Sequence, residues 1–253
     1  MTEPRGVTAL SATAFRSNML DSHGLTILGL GFVLGLRHAL DADHIVAVST
    51  VLAERPTFRA SGVVGLFWGL GHTLMLLLVG GCVLALHVSI PESLAAVFEL
   101  LVGIMLIGLG LGLARRLYRE GWHLHPHEHG GRQHVHLHRH TVDQDHIHAH
   151  WFLEARRPLL IGMAHGLAGS AALLLIVVSA AGTFGQGIGY ILVFGVGSII
   201  GMIAVGAVIS LPFVLSLSIG RGALVAVQGL ASLGSIGLGL LVIWRMGLGE
   251  PGF

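Results

Sequence analysis

The sequence predicts an all-α membrane protein of six transmembrane helices, laid out as two inverted three-helix repeats with a histidine-rich cytoplasmic loop between them. Three observations predict it. The chain is 53% apolar and only 11% charged, whereas a soluble domain carries about 25% charged residues. Its apolar runs reach the roughly 20 residues that one bilayer crossing needs. Short patterns from the first half recur in the second in the same order, as expected of a duplicated plan.

Hydropathy places the spans at 25–52, 61–88, 94–113, 159–181, 188–217 and 224–243. The first and fifth exceed one crossing, which permits a tilt or a break. Residues 1–24 read as a retained tail, because they lack an apolar core followed by a cleavage site. The first repeat then covers 25–117, the loop 118–157, the second repeat 158–246, and a short tail 247–253. Six spans in 253 residues leave no room for a soluble domain of ordinary size. Cys82 is the single cysteine, so neither an intrachain disulfide nor a thiolate metal cluster can form.

All fourteen Lys-plus-Arg residues are arginines, and their distribution sets the orientation. One set of flanks holds ten: Arg55, Arg59, Arg115, Arg116, Arg119, Arg132, Arg139, Arg156, Arg157 and Arg221. The opposite set, with both tails, holds Arg5, Arg16 and Arg245. The positive-inside rule then puts the arginine-rich loops in the cytoplasm and both termini outside the inner membrane.

The repeat rests on three matches. Gly35-Leu36-Arg37-His38-Ala39-Leu40 resembles Gly162-Met163-Ala164-His165-Gly166-Leu167 at an offset of 127. Phe67 matches Phe194 at the same offset, and Ile107-Gly108-Leu109-Gly110-Leu111 recurs from Ile236 at an offset of 129. Three spans are an odd number, so the second half enters the membrane inverted. That is a plan of secondary transporters, with the site near the midplane at the repeat interface. His38 and His165 become partners, although a duplication without a transport role would leave the same pattern.

The chemistry concentrates in the first span, where Arg37, His38, Asp41, Asp43 and His44 interrupt Leu, Ile, Val, Gly and Ala. A charge at bilayer depth costs roughly 2.5–3.5 kcal/mol on insertion scales, so ionisable groups there mark ion or substrate paths. Imidazole with carboxylate is a ligand set for first-row divalent metals. At about 100° per residue, Asp43 points about 140° away from His38 on a straight helix. Either the helix unwinds, eased by Gly29, Gly31 and Gly35, or these residues serve different sites. Arg37 and Asp41, four apart, can also simply pair with each other. In the second span His72 follows Gly71, and in the fourth His165 sits among small residues. Both are candidate ligands, and for both a hydrogen bond within a packed helix seam is the plainer alternative. In the fifth span Gly195, Gly197, Ser198, Gly201 and Met202 form a packing surface.

Between the third and fourth spans, His123, His125, His127, His129, His134, His136, His138, His140, His146, His148 and His150 alternate with other residues. Pro126, Gly130 and Gly131 and the lack of apolar partners point to a flexible loop rather than a strand. Neutral imidazoles suit Zn, Cu and Ni, so the tract is an auxiliary metal-binding candidate. A solvated linker of biased composition is the alternative.

Taken together, Arg37-His38-Ala39-Leu40-Asp41-Ala42-Asp43-His44-Ile45 resembles the signature of the nickel/cobalt transporter family. Leu70-Gly71-His72-Thr73 resembles that family's second motif. His165-Gly166-Leu167-Ala168-Gly169-Ser170-Ala171-Ala172-Leu173 looks like its shorter, six-helix branch, which includes nickel permeases found with urease accessory genes. The resemblance implies a permease for Ni²⁺ or Co²⁺, with His38, Asp43, His44 and His72 binding or selecting the ion. Longer members carry an Asp-Thr-Ala-Thr-Glu-type motif where this chain has His165 and small residues.

The expected function is therefore uptake of a divalent transition metal, with His38, Asp41, Asp43, His44, His72 and His165 at the membrane site. Efflux is the first alternative, since related exporters also carry histidine-rich loops. A non-transporting metal-binding membrane accessory is the second. A His-four-residue-Asp pattern also marks glycerolipid acyltransferases, but that chemistry needs an interfacial basic cluster, and here only Arg37 is near. No lysine exists for a nucleotide-binding P-loop. No enzyme activity, resident cofactor or nucleic-acid partner is expected. The partners are the bilayer, the metal ion as cargo and a cytoplasmic metallochaperone as a further candidate.

Overall fold

The computed structural model describes residues 22–88, 91–120, 127–129, 132–134, 151–168 and 183–247. Seven helices carry most of them: α1 (Ser22–His38), α2 (Ala42–Leu52), α3 (Phe58–Leu86), α4 (Glu92–Glu120), α5 (Trp151–Ala168), α6 (Phe184–Ile219) and α7 (Arg221–Gly247). The architecture is all-α, as the apolar runs predict. In the histidine-rich segment a short ribbon pairs β1 (His127–His129) with β2 (Arg132–His134), Glu128 opposite Gln133. This departs from the expected structureless loop: at these two stretches the alternation by two does take strand geometry. The other histidines of the segment, and residues 169–182 at the end of the expected fourth span, lie outside the described residues.

Four described helices are long and apolar enough to cross a membrane: Phe58–Leu86, Glu92–Arg119, Phe184–Ile219 and Arg221–Gly247. The run 25–52 does not form one continuous helix. It splits into two shorter apolar helices at Ala39-Leu40-Asp41. The fourth run is entered by α5, whose first turns hold Glu154, Arg156 and Arg157 ahead of apolar sequence. Thr57 starts α3 by accepting the Ala60 amide at 3.1 Å, and Thr183 starts α6 by accepting that of Gln186 at 3.3 Å. Such caps satisfy backbone donors that a helix leaves open at its first turn.

The outer surface of the helices is apolar, and part of the interior is polar. Leu66, Leu70, Leu74 and Leu78 form an exposed stripe along α3, and Leu211, Leu215, Leu230 and Leu233 are exposed on α6 and α7. Meanwhile Thr50, Thr73, Ser198, Ser210, Ser232 and Ser235 are buried, as are His44, His72 and His165. Small and hydroxyl residues inside with leucine outside is how helices associate in lipid, where close backbone approach and interhelical hydrogen bonds replace the hydrophobic drive. Ser232 donates to the Gly110 carbonyl at 2.8 Å and Ser235 to that of Leu106 at 2.7 Å, joining α7 to α4.

Glycines set the closest approaches. A Cβ on Gly35 of α1 would strike the Phe194 carbonyl of α6, and one on Gly197 of α6 would strike that of Phe32. Likewise Gly71 of α3 faces the Leu159 carbonyl of α5, and Gly162 faces that of Trp68. The order of contacts gives the directions: α1 runs parallel to α6 and α5 parallel to α3. Gly65 against Ile203 and Gly69 against Ile199 make α3 and α6 antiparallel, and Gly103 against Gly239 with Gly110 against Ser232 do the same for α4 and α7. A cluster of Ala47, Val48, Leu52, Val64, Trp68, Leu106 and Met202 fills the space between α2, α3, α4 and α6.

Candidate metal site

The break in the first apolar run builds the site. The Leu40 amide donates to the Arg37 carbonyl at 2.8 Å and the Asp41 amide to that of His38 at 3.1 Å, tightening the end of α1. Asp41 is then extended (φ −62°, ψ 143°) and stands at the N-terminus of α2, where the Ile45 amide donates to its carbonyl at 3.1 Å. The new helix starts with a new rotational phase. His44 now lies beside His38, and Asp43 is turned toward His44 and His165. The helix does unwind here, and His38 and Asp43 still fall in different groups of ligand atoms that share His44.

Four imidazoles and one carboxylate meet here from α1, α2, α3 and α5. His44, His72 and His165 are each at most 1% exposed. His38 Nε2 lies 3.2 Å from His72 Nε2. The His44 ring stands edge-on to His38 at 4.5 Å and to His165 at 4.2 Å between centroids. Asp43 spans the cluster, with Oδ1 3.1 Å from His44 Nδ1 and Oδ2 2.7 Å from His165 Nε2. Two sets of three ligand atoms, each set within 4.8 Å, result: His38, His44 and His72, and Asp43, His44 and His165.

Further details fit a cation-binding role. His44 Nε2, His72 Nδ1 and His165 Nδ1 are buried with no hydrogen-bond partner among the described residues. Such atoms cost about 1–3 kcal/mol each and are retained where a ligand uses them. Imidazole nitrogens with a carboxylate oxygen form a donor set for Ni²⁺, Co²⁺ or Zn²⁺. Aromatic rings flank the cluster: Phe194 lies 5.5 Å from His38, and Trp68 lies 5.8 Å from His165.

Five of the six predicted membrane-site residues, His38, Asp43, His44, His72 and His165, are brought together. Asp41 lies outside both ligand sets. Its half-exposed carboxylate accepts from His38 Nδ1 at 2.6 Å, so it neither offers itself to the cluster nor needs Arg37 as its partner. Among the loop histidines, His127, His129 and His134 are placed only as ribbon backbone. Sequence reasoning did not single out Trp68 or anticipate Phe194 beside the site, because nothing local marks an aromatic residue that faces a histidine on another helix. It also missed the ion pair of Glu54 with Arg157 at 2.5 Å, with Arg116 at 3.9 Å, which ties the α2–α3 connection to α5 and α4.

Comparison with known proteins agrees with this chemistry. The model of the NicO family, described as high-affinity nickel-transport protein, matches residues 24–243. The chain is 36% identical over 192 residues to the urease accessory protein UreH of Bacillus sp. (strain TB-90), covering 76% of this chain and 79% of that one. No solved structure matches. The family is one of transporters rather than enzymes, and its description names nickel as the cargo. The chain belongs to the NicO family of high-affinity nickel-transport proteins.

Proposed function

We propose that the protein is a nickel permease of the cytoplasmic membrane, working in uptake, and that the ion crosses through His38, Asp43, His44, His72 and His165. The observation that carries this is the convergence of four imidazoles and one carboxylate at the buried break of an apolar run. Buried ionisable groups in such a run are costly unless they serve an ion. A high-affinity description favours uptake, because tight capture serves a scarce ion. Co²⁺ offers nearly the same radius and ligand preference, so it is the expected second cargo. Asp41 acts behind the ligands, holding His38 by Nδ1 so that Nε2 faces the cluster, as carboxylates do behind metal-binding histidines.

The frame of this permease is a pair of inverted repeats, 25–117 and 158–246, joined by a cytoplasmic loop at 118–157, with both termini outside. Paired contacts support it. Gly35 meets Phe194 as Gly162 meets Trp68, and Gly71 meets Leu159 and Met163 as Gly197 meets Phe32 and Leu36. His38 faces Phe194 as His165 faces Trp68. Thr57 and Thr183 cap corresponding helices. These contacts align the second and fifth spans at an offset of 126, so Trp68 rather than Phe67 corresponds to Phe194. The parallel and antiparallel directions are those that six alternating crossings require. The loop histidines hold ions loosely on the cytoplasmic side, for release or hand-over to a metallochaperone.

Uptake of radioactive nickel and cobalt into cells with and without the protein tests this reading. Nickel accumulation above the control supports it. No accumulation of either ion by correctly inserted protein overturns it, and faster loss from preloaded cells would make it an exporter.

A further inference from the structure

Both ligand sets use the same imidazole. His44 belongs to the group with His38 and His72 and to the group with Asp43 and His165. A neutral imidazole has one lone-pair nitrogen and one N–H, so His44 ligates through one edge at a time. Two divalent cations a few ångströms apart would also repel strongly in a water-poor interior. The two sets are therefore alternatives.

The hydrogen bonds show which set stands closer to binding an ion. Carboxylates only accept, so Asp41 holds the Nδ1–H of His38 at 2.6 Å and Asp43 holds that of His44 at 3.1 Å. This turns the lone pairs of His38 and His44 onto Nε2. His44 Nε2 has no partner among the described residues. With its N–H held at Nδ1, His38 accepts at Nε2 from His72 Nε2–H at 3.2 Å. One tautomer change at His72, whose Nδ1 has no partner among the described residues, frees both nitrogens at the spacing of neighbouring ligands, about 3.0–3.4 Å for bonds of about 2.0–2.1 Å. The second set is closed on itself: Asp43 accepts from His44 and from His165 at once. It opens to an ion when these two rings exchange tautomers, turning Nδ1 of His44 and Nε2 of His165 into lone-pair donors beside the Asp43 oxygens. No net proton is gained or lost in that exchange.

Building on the permease reading, the geometry points to two overlapping ion positions, His38–His44–His72 and Asp43–His44–His165, with His44 handing the ion from one to the other. The histidines at the two ends, His38 and His165, are the residues that correspond in the proposed inverted repeats. Each stands edge-on to the shared ring. Inverted halves are related by an axis in the membrane plane, which sets corresponding residues at mirrored depths about the midplane, so a step from His38 toward His165 moves the ion across it. The first position is all nitrogen and the second adds a carboxylate oxygen, so the two differ in field strength and in optical signature.

The test uses full-length protein in lipid nanodiscs, Ni²⁺ for equilibrium binding and Co²⁺ as an optical reporter of ligand number and type. The parent is expected to bind one ion. His72→Ala and His165→Ala should each still bind one ion, less tightly than the parent because only one of the two positions remains. Their cobalt spectra should differ, with oxygen character only in His72→Ala. Both should fail to transport, since each retains one position without its exchange partner. His44→Ala, with His44→Gln as a second variant checked for helix content and monodispersity, should bind more weakly than either. Two ions bound at once to the parent would overturn the inference. So would parental transport by either outer variant, or binding lost in His72→Ala and His165→Ala as fully as in His44→Ala, which would mean one joint site. Absence of nickel transport by the parent is the separate result that defeats the permease reading itself.

Discussion

His165 Nε2 lies 2.7 Å from Asp43 Oδ2, joining the end of α5 to the first turn of α2 across 122 positions of sequence. Through its other oxygen the same carboxylate reaches His44. One acidic side chain thus couples the two halves of the chain at the point where the first apolar run breaks. Without the break, Asp43 would face away from His38, and the cluster could not form from these residues.

Asp41 provides a test of the support behind the ligands. Asp41→Asn should raise the nickel concentration for half-maximal uptake by about 10–100-fold while changing the maximal rate less, because a carboxylate behind a histidine tunes affinity. Asp41→Glu should recover part of the loss. A fall in maximal rate at unchanged half-saturation would show that Asp41 serves only to shape the turn.

The glycine seam predicts stability. Gly35→Ala places a methyl group against the Phe194 carbonyl, which belongs to backbone and cannot swing aside. Overpacking of this kind costs about 1–3 kcal/mol, so the thermal midpoint of the purified protein should fall. Gly62→Ala, where nothing lies within 4 Å, should leave it unchanged. Equal midpoints for both variants would mean that α1 and α6 do not pack this closely.

Topology is open to a direct check. A reporter fused after Phe253 should read as extracytoplasmic, and one inserted at Gly130 as cytoplasmic, from the arginine bias and six crossings. Both reporters on one side would mean that the number of crossings between them is even.

The histidine-rich loop should buffer metal rather than select it, since a loosely organised tract discriminates poorly between ions. Replacing residues 123–150 with a short polar linker should keep transport and metal preference, and change apparent affinity or tolerance of excess metal by a modest factor. Complete loss of transport by an inserted deletion, or a switch in preferred metal, would place the loop in the selective path.

Much of this arrangement was legible in the chain. Apolar runs located the long helices to within a few residues at most ends, as α3 at Phe58–Leu86 against 61–88 shows, because hydropathy over 20 residues averages out local detail. The angular mismatch between His38 and Asp43 raised the possibility of a break, since three site residues cannot share a face at that spacing. Its position at Ala39-Leu40-Asp41 was not legible, because no proline marks it and the flanking glycines lie upstream. The part of Asp41 was hidden for a related reason: a carboxylate three residues from a histidine pairs with it only in a turn of this shape. Trp68 and Phe194 have no local signature, and their place beside the histidines follows only from how α3 packs on α5 and α6 on α1.

The most direct measurement of the central claim is radioactive nickel uptake by cells carrying Asp43→Ala, compared with the parent at equal amounts of inserted protein. Among the described residues, Asp43 is the one side chain that bonds both His44 and His165, so the account predicts uptake no higher than in cells without the protein. Accumulation at the parental rate would contradict it, and would mean that nickel crosses by a route that does not use this cluster.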